Sequence, residues 1–328
     1  EWLEQRVGAR ARRVSLDRWA RLARLERRLG RVGRWPGVAV LHLQGPIVLD
    51  SQPGAVVIAA RDVVPILREL TEAEGVAGVV LHVNSPGGSA YASDLIWREV
   101  ERMGRDKPVV ACFEDVSASG GYYLSAPATH IVARPQTITG SIGVVGGKLV
   151  VGGAQRALGV TVESVAATSS ATMFSASAPF TPAQRARFRA SLDTTYDAFV
   201  HRVASGRRRP LSTLEPHCRG RVWLGVQAKE VGLVDSMGDL NTAIHQVERL
   251  ASRTGLARYD LTGHARPGFL ARQVQKHIRD ALPVGVSAVA RLPGMSVGPA
   301  LTAFAFSQGE PLALWPVDLA MERRGPAW

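Results

Sequence analysis

Short apolar runs alternate with helical patterns along the chain from residue 38 onward. The runs at 38–43, 79–83, 109–113 and 131–133 are continuous rather than alternating with polar positions. Such runs are typical of strands buried on both faces of a parallel sheet. Further strands are predicted on the same grounds at 142–145, at 160–165 and near 258–262.

Helical patterns lie between these runs, at about 57–74, 89–103, 120–127 and 149–158. After Thr181 and Pro182, apolar residues recur every three or four positions, which predicts a long docked helix with a defined start. Two more helices are predicted at 226–231 and 240–252. Alternation of strands and helices predicts an α/β fold of βαβ units with parallel strands and flanking helices.

The two ends of the chain differ from its middle. Residues 1–35 predict a basic helical arm, with an apolar stripe at helical spacing between Ser15 and Leu29. Residues 36–263 predict the folded domain. Residues 264–328 predict a tail that packs on the domain or forms an oligomer interface.

The positive charge of the chain is concentrated at its amino-terminal end. The net charge is +12, but residues 1–35 alone hold eleven Arg and four acidic residues. The rest of the chain is only mildly basic, and it shows no nucleic-acid-reading motif and no interleaved aromatics, so no nucleic-acid partner is predicted. Two cysteines give neither a disulfide framework nor zinc-type spacing, and no metal or cofactor is predicted.

No uninterrupted apolar run reaches 18 residues, and the first residue is Glu1 rather than Met. We therefore expect a processed product or a piece of a longer chain, with any membrane segment outside it.

Candidate chemistry concentrates in two glycine-rich segments that each follow a predicted strand and open a helix. They are NSPGG at 84–88 and ASGGYY at 118–123. A serine at a strand-to-helix turn, such as Ser119, exposes its hydroxyl as a nucleophile needs. The Gly87 and Gly88 amides can approach and stabilise an oxyanion. Taken alone, each glycine pair also fits a turn with close helix-to-strand packing, and neither segment fits a phosphate-binding loop.

Together with TGSIGV at 139–144 and GRVWLGVQAKEVGLVDSMG at 220–238, these segments resemble the signal peptide peptidase A family. The resemblance covers residues 36–263 and implies a Clp protease/crotonase-like spiral fold. It implies a serine endopeptidase with Ser119 as nucleophile and with Gly87, Gly88 and Gly120 at the oxyanion hole. Ser141 corresponds to the family's serine that orients the catalytic lysine.

The family's lysine is the point of departure from this pattern. In the short form of the family, the position of this lysine corresponds to Ala171 of the present sequence. Residues 167–172 contain no lysine. Among the four lysines, Lys148 is the one internal alternative base, and His82 and His130 offer a Ser/His arrangement. In the tandem long form of the family, the lysine comes from the amino-terminal half and the serine from the carboxy-terminal half. The chain resembles that second half.

The resemblance further implies hydrophobic peptides, remnant signal peptides among them, as substrates. It also implies a lysine-bearing amino-terminal half or homologous subunit, homo-oligomerisation, and a membrane-associated site on the periplasmic or extracytoplasmic face. Two alternatives stay open. One is a catalytically idle scaffold, and the other is a crotonase-type acyl-CoA enzyme, which would need an acidic residue beside the glycine amides.

Overall fold

The computed structural model describes residues 36–51, 55–168 and 170–263, and the backbone of residues 312–314. The predicted arm at 1–35 and most of the tail at 264–328 lie outside the described residues.

Most strands fall where continuous apolar runs predict them. In chain order they are β1 (Gly37–Gln44), β2 (Ile47–Val48), β3 (Ile58–Ala59), β4 (Val76–Ser85), β5 (Gly87–Ser89), β6 (Val109–Ala118), β7 (His130–Ala133), β8 (Ile138–Gly140), β9 (Val222–Leu224), β10 (Ser236–Met237), β11 (Ala257–Thr262) and β12 (Leu312–Leu314).

The helices alternate with the strands through the first half of the domain and then dominate. They are α1 (Ala60–Glu72), α2 (Ala90–Asp106), α3 (Gly120–Ser125), α4 (Gly152–Ala157), α5 (Pro182–Gly206), α6 (Leu211–Leu214), α7 (Gly225–Glu230) and α8 (Leu240–Leu250), with a 3-10 turn at Glu215–His217. Helix α5 begins where predicted, because Thr181 and Gln184 form a capping box at its first turn.

The larger sheet is mostly parallel, with its main path in the order β10–β7–β6–β4–β1–β11. Strand β8 pairs in parallel with the end of β6 and antiparallel with β9. Helices α1, α2 and α3 cover one face, and α8 covers the other through Ala243 and Val247. Burial on both faces explains why the strands read as continuous apolar runs. The α/β fold with parallel strands and flanking helices is confirmed.

A smaller sheet lies beside the carboxyl ends of the central strands, in the order β12–β5–β2–β3. Strand β5 is the glycine pair of the first motif with Ser89. It pairs in parallel with β2 through Ile47 and Gly88, and antiparallel with β12. The first glycine motif therefore forms backbone ladders instead of a simple loop.

Two strand predictions are wrong. The strand near 142–145 lies earlier, at Ile138–Gly140, and Val145 beyond it is 49% exposed. The run at 160–165 forms no strand. Val165 is fully exposed, and no strand is assigned beside it in the described part of the chain. A β-branched run needs a partner strand or surface to become a strand. In the described part of the chain, Val145 forms only a single-residue bridge although Ile142 is buried, and residues 160–165 pair with no strand.

Across the described ranges, no helix combines the length and the apolar content that crossing a bilayer would require.

Candidate active site

The two glycine motifs lie side by side, as their positions after adjacent parallel strands predict. Strands β4 and β6 pair in parallel, and their last aligned residues are Ser85 and Ser117. A Cβ placed on Gly121 would stand 3.0 Å from the Ser85 carbonyl oxygen. The carboxyl ends of the two strands thus form one edge at which groups from both motifs can converge.

Ser119 occupies the turn between β6 and α3. Its φ of 53° lies in the left-handed region, which is unusual for a residue with a side chain. Its N–H donates to the Gly140 carbonyl at 2.8 Å, and its carbonyl accepts from the Tyr123 N–H at 2.8 Å. The backbone is therefore fixed on both sides. Such strain persists where the surrounding structure holds it, and it is concentrated at functional sites.

The turn does not expose the Ser119 hydroxyl as predicted: the residue is fully buried, and its Oγ has no hydrogen-bond partner among the described residues. Ser125 differs, because its Oγ donates to the Gly121 carbonyl at 2.8 Å. Ser117 also has a buried, unpaired Oγ, but it lies within the regular β6 ladder. A buried hydroxyl without a hydrogen-bond partner lowers the stability of the folded protein. Its presence at a strained turn therefore indicates a functional role for Ser119.

The glycines of the two motifs permit close approaches that no side chain would allow. A Cβ on Gly88 would stand 2.0 Å from the Ile47 carbonyl oxygen. A Cβ on Gly120 would stand 2.6 Å from the Ser93 Oγ and 3.2 Å from the Gly88 nitrogen. Of the two glycine amides, Gly88 is therefore the one that adjoins Gly120, whereas the Gly87 N–H donates to the Ser85 Oγ at 3.2 Å.

Ser141 follows β8 just as Ser119 follows β6. The residues that precede them, Gly140 and Ala118, are paired in parallel register, so the two serines leave the sheet at the same level. Ser141 is 2% exposed, has φ of 49°, and donates its N–H to the Arg221 carbonyl at 2.7 Å. The structure therefore brings Ser119, Gly88, Gly120 and Ser141 to one place.

The lysines within the described ranges are engaged elsewhere or exposed. The Lys148 ammonium donates to the Met173 and Ser175 carbonyls at 2.8 and 3.0 Å and lies over the Phe180 ring. Desolvation lowers the pKa of Lys148. Lys107 donates to backbone carbonyls at the end of α1, and Lys229 is exposed on α7. None of them forms a hydrogen bond with the Ser119 Oγ.

The histidines also bond away from Ser119. His82 Nδ1 lies 3.0 Å from His42 Nδ1. The other ring nitrogen of His42, Nε2, lies 2.9 Å from Asp260 Oδ1. His130 Nε2 lies 2.9 Å from the Ser236 Oγ. Burial lowers the pKa of both His82 and His130, which favours neutral structural imidazoles.

Metal-ligating side chains and the two cysteines are further candidates for a place in the site. They hold no cluster of three or more His, Cys, Asp and Glu side chains suited to a metal ion. Cys112 and Cys218 are buried free thiols whose pKa burial raises to about 12.

Sequence reasoning missed three groups that support the site. Ser85 accepts the Gly87 N–H, Ser93 fills the space beside Gly120, and Thr139 donates its hydroxyl to the Ser117 carbonyl at 2.7 Å. Ser85 and Thr139 lie inside the motifs at 84–88 and 139–144, so the sequence could have indicated that they lie near the site. Ser93 lies on α2, and nothing in its spacing distinguishes it from a core serine.

The chain is similar in sequence to a family of peptidases and to several proteins named as proteases. Residues 101–253 match the sequence profile of Peptidase family S49. Over 209 residues the chain is 35% identical to the chloroplastic serine protease SPPA of Arabidopsis thaliana. It is 33% identical over 217 residues to Protease 4 of Haemophilus influenzae. It is also 34% identical over 220 residues to a protein of Methanocaldococcus jannaschii that is named as a candidate protease.

The extent of these matches differs. The aligned region covers 63% to 66% of this chain in all three cases. It covers 71% of the Methanocaldococcus protein, but only 30% and 35% of the Arabidopsis and Haemophilus proteins. The chain therefore spans about a third of the length of those two relatives.

Proposed function

Because the chain belongs to peptidase family S49, we propose that it is the serine-bearing part of a serine endopeptidase that hydrolyses hydrophobic peptides. The observation that carries this proposal is the Ser119 hydroxyl. It is buried and unpaired in the described structure, at a strained turn beside the Gly88 and Gly120 backbone. A nucleophile held in this way has its path to a substrate carbonyl set by the backbone.

In the proposed reaction, the Ser119 Oγ attacks the carbonyl carbon of the scissile peptide while a neutral amine takes the hydroxyl proton. The carbonyl oxygen becomes an oxyanion, which the Gly88 and Gly120 N–H groups stabilise by about 3 kcal/mol per donor. The amine then returns the proton to the leaving nitrogen, and the C–N bond breaks. Water attacks the resulting ester by the same route and releases Ser119 and a carboxylic acid.

The general base is proposed to be a lysine from an amino-terminal half or a homologous subunit. This proposal is supported by the unpaired Ser119 Oγ and by the engagement of Lys107 and Lys148 with backbone carbonyls. Burial at the assembled site would keep the incoming amine neutral. Ser141, at the level of Ser119, is proposed to orient that amine. Lys148 is the competing base, and its test is given in the Discussion.

The surface that would receive this partner is proposed to lie between residues 143 and 180. Four valines there are about half or fully exposed: Val145, Val160, Val162 and Val165. Exposed apolar side chains concentrated in one segment are a reason to propose an interaction site there. Residues 167–172, where the family's lysine loop would lie, belong to the same segment.

The substrates are proposed to be extended apolar peptides, remnant signal peptides among them, that add as a strand beside β5. Action on such peptides implies association with a membrane, on its periplasmic or extracytoplasmic face, through a segment outside the described residues. Homo-oligomerisation would shelter Ser119 from folded proteins. These features rest on family resemblance.

The test is covalent labelling of the complete assembled protein with a fluorophosphonate. We expect one labelled residue, Ser119, and complete loss of labelling in Ser119→Ala. Ser125→Ala is the matched control, because Ser125 is an equally buried serine two residues beyond the same motif, and its hydroxyl already donates to the Gly121 carbonyl. Labelling that survives in Ser119→Ala would refute the assignment. A folded assembly that never labels and never cleaves peptides would favour the idle scaffold.

A further inference from the structure

Strand β5 has two edges, and the chain itself covers both. Strand β2 lies on one edge, with Ile47 aligned to Gly88. The segment Leu312–Leu314 lies on the other edge in antiparallel register, which aligns Leu312 with Ser89, Ala313 with Gly88 and Leu314 with Gly87. The carboxy-terminal tail thus adds a strand to the first glycine motif.

The edge of β5 that Leu312–Leu314 occupies is the one to which a peptide could add, because β2 holds the other edge. Because the Gly88 nitrogen adjoins Gly120, a strand aligned with Gly88 runs beside the proposed oxyanion donors. An uncovered edge of β5 would present a row of unpaired backbone groups, which is a template for an extended peptide. Two glycines at that edge let another backbone approach without meeting side chains.

We propose that the Leu312–Leu314 segment occupies the edge of β5 to which an extended peptide substrate would add, so that the tail competes with substrate within the same chain. This inference rests on the proposed function, because it takes β5 as the substrate edge. The segment has the composition expected of a substrate, since Leu-Ala-Leu is short, apolar and uncharged.

Covalent attachment makes this competition intramolecular, so the segment acts at a high effective concentration even if its own affinity is weak. A three-residue ladder is a small contact, and substrate or a partner can displace it. The apparent affinity for an added peptide then falls in proportion to the fraction of molecules whose edge is open.

Ala313→Pro tests the pairing, because proline removes a backbone donor and fixes φ. Ala320→Pro, six residues beyond the strand in the same tail, is the matched control. Both variants are made in the full chain with Ser119→Ala, so that no cleavage interferes. The first measurement is hydrogen exchange at the amides of Gly88 and Ser89. We expect faster exchange at one or both in Ala313→Pro and no change in Ala320→Pro, with β4 amides protected in both.

The second measurement is fluorescence anisotropy with a labelled, uncharged Leu/Ala-rich peptide. If the edge is open about a tenth of the time, Ala313→Pro should bind this peptide about tenfold more tightly. Unchanged exchange at β5 would overturn the pairing, and unchanged or weaker peptide binding would overturn the competition. Failure of the peptidase proposal would be seen separately, as absence of fluorophosphonate labelling at Ser119 in the complete protein.

Discussion

The segment from residue 37 to residue 141 and the segment from residue 143 to residue 180 are both rich in β-branched residues, yet they use them differently. In the first, strand valines such as Val38 and Val80 are fully buried. In the second, Val162 is 48% exposed and Val165 is fully exposed. The first segment finds its partners within the chain. The second carries apolar surface that the described chain does not cover, and this asymmetry fits a chain that completes its site through another subunit.

The largest expected effect tests whether another subunit supplies the general base. We expect the chain alone to hydrolyse hydrophobic peptides near background, because a serine without a proton acceptor is a poor nucleophile. Adding the lysine-bearing half or subunit should raise turnover about a thousandfold or more. The measurement is cleavage of a fluorogenic apolar peptide, with and without that partner.

Lys148→Ala supplies the control for this experiment. It should leave the activity of the assembled protein unchanged within about twofold, whereas replacing the partner's lysine should abolish it. Robust activity of the isolated chain that is lost in Lys148→Ala would instead show a self-contained Ser/Lys pair.

The same asymmetry explains how far the sequence predicts the molecule. Strands β1, β4, β6 and β7 and their helices could be predicted, because each run is buried by neighbours from the same chain. Residues 160–165 have the same local preference for a strand, but no strand lies beside them in the described part of the chain, so the local pattern alone predicted a strand wrongly. The position of Ser119 at a strand-to-helix turn was predictable from its Ser-Gly-Gly sequence, and its role as nucleophile stays a prediction.

Long-range contacts could not be predicted from local pattern. The pairing of Leu312–Leu314 with β5 joins residues more than two hundred positions apart, and a three-residue apolar run gives no hint of its partner. The position of Ser93 beside Gly120 likewise depends on how α2 packs, and one serine in a helix carries no such signal.

An intermediate effect comes from one chemical change made in both regions. Val80→Ala removes two buried methyl groups from the sheet and should lower the free energy of unfolding by about 2 kcal/mol. Val165→Ala removes the same atoms from an exposed site and should change it by less than about 0.5 kcal/mol. Urea denaturation of the isolated chain measures both.

Measuring the same two variants in the assembled protein makes the comparison more specific. If Val165 lies in the contact with a homologous subunit, Val165→Ala should weaken assembly although it leaves the isolated chain intact. Equal costs for the two variants in the isolated chain would mean that the second segment is buried after all.

The smallest expected effect is a pH dependence confined to the sheet region, since residues 143–180 contain no histidine. Burial lowers the pKa of His82; the Glu114 carboxylate opposes this, whereas His42, Arg134 and Arg258 reinforce it. Asp260 bonds His42 on its far side. Burial likewise lowers the pKa of His130, against the opposing effect of Asp235. The folded protein therefore favours neutral imidazoles at both positions.

Below about pH 6.5 the unfolded chain binds more protons at these histidines than the folded chain does. Their contribution to stability is thus complete above that pH and is lost as the pH falls towards the lowered folded pKa values. Urea denaturation between pH 7.5 and about pH 5 should show a falling free energy of unfolding. His82→Gln and His130→Gln should each flatten the slope, and the double variant should flatten it by the sum, because the two sites share no hydrogen-bond partner. If the double variant keeps the same dependence of unfolding free energy on pH, protonating these two buried imidazoles does not destabilise the fold. The pH sensitivity of the sheet region would then arise from other groups.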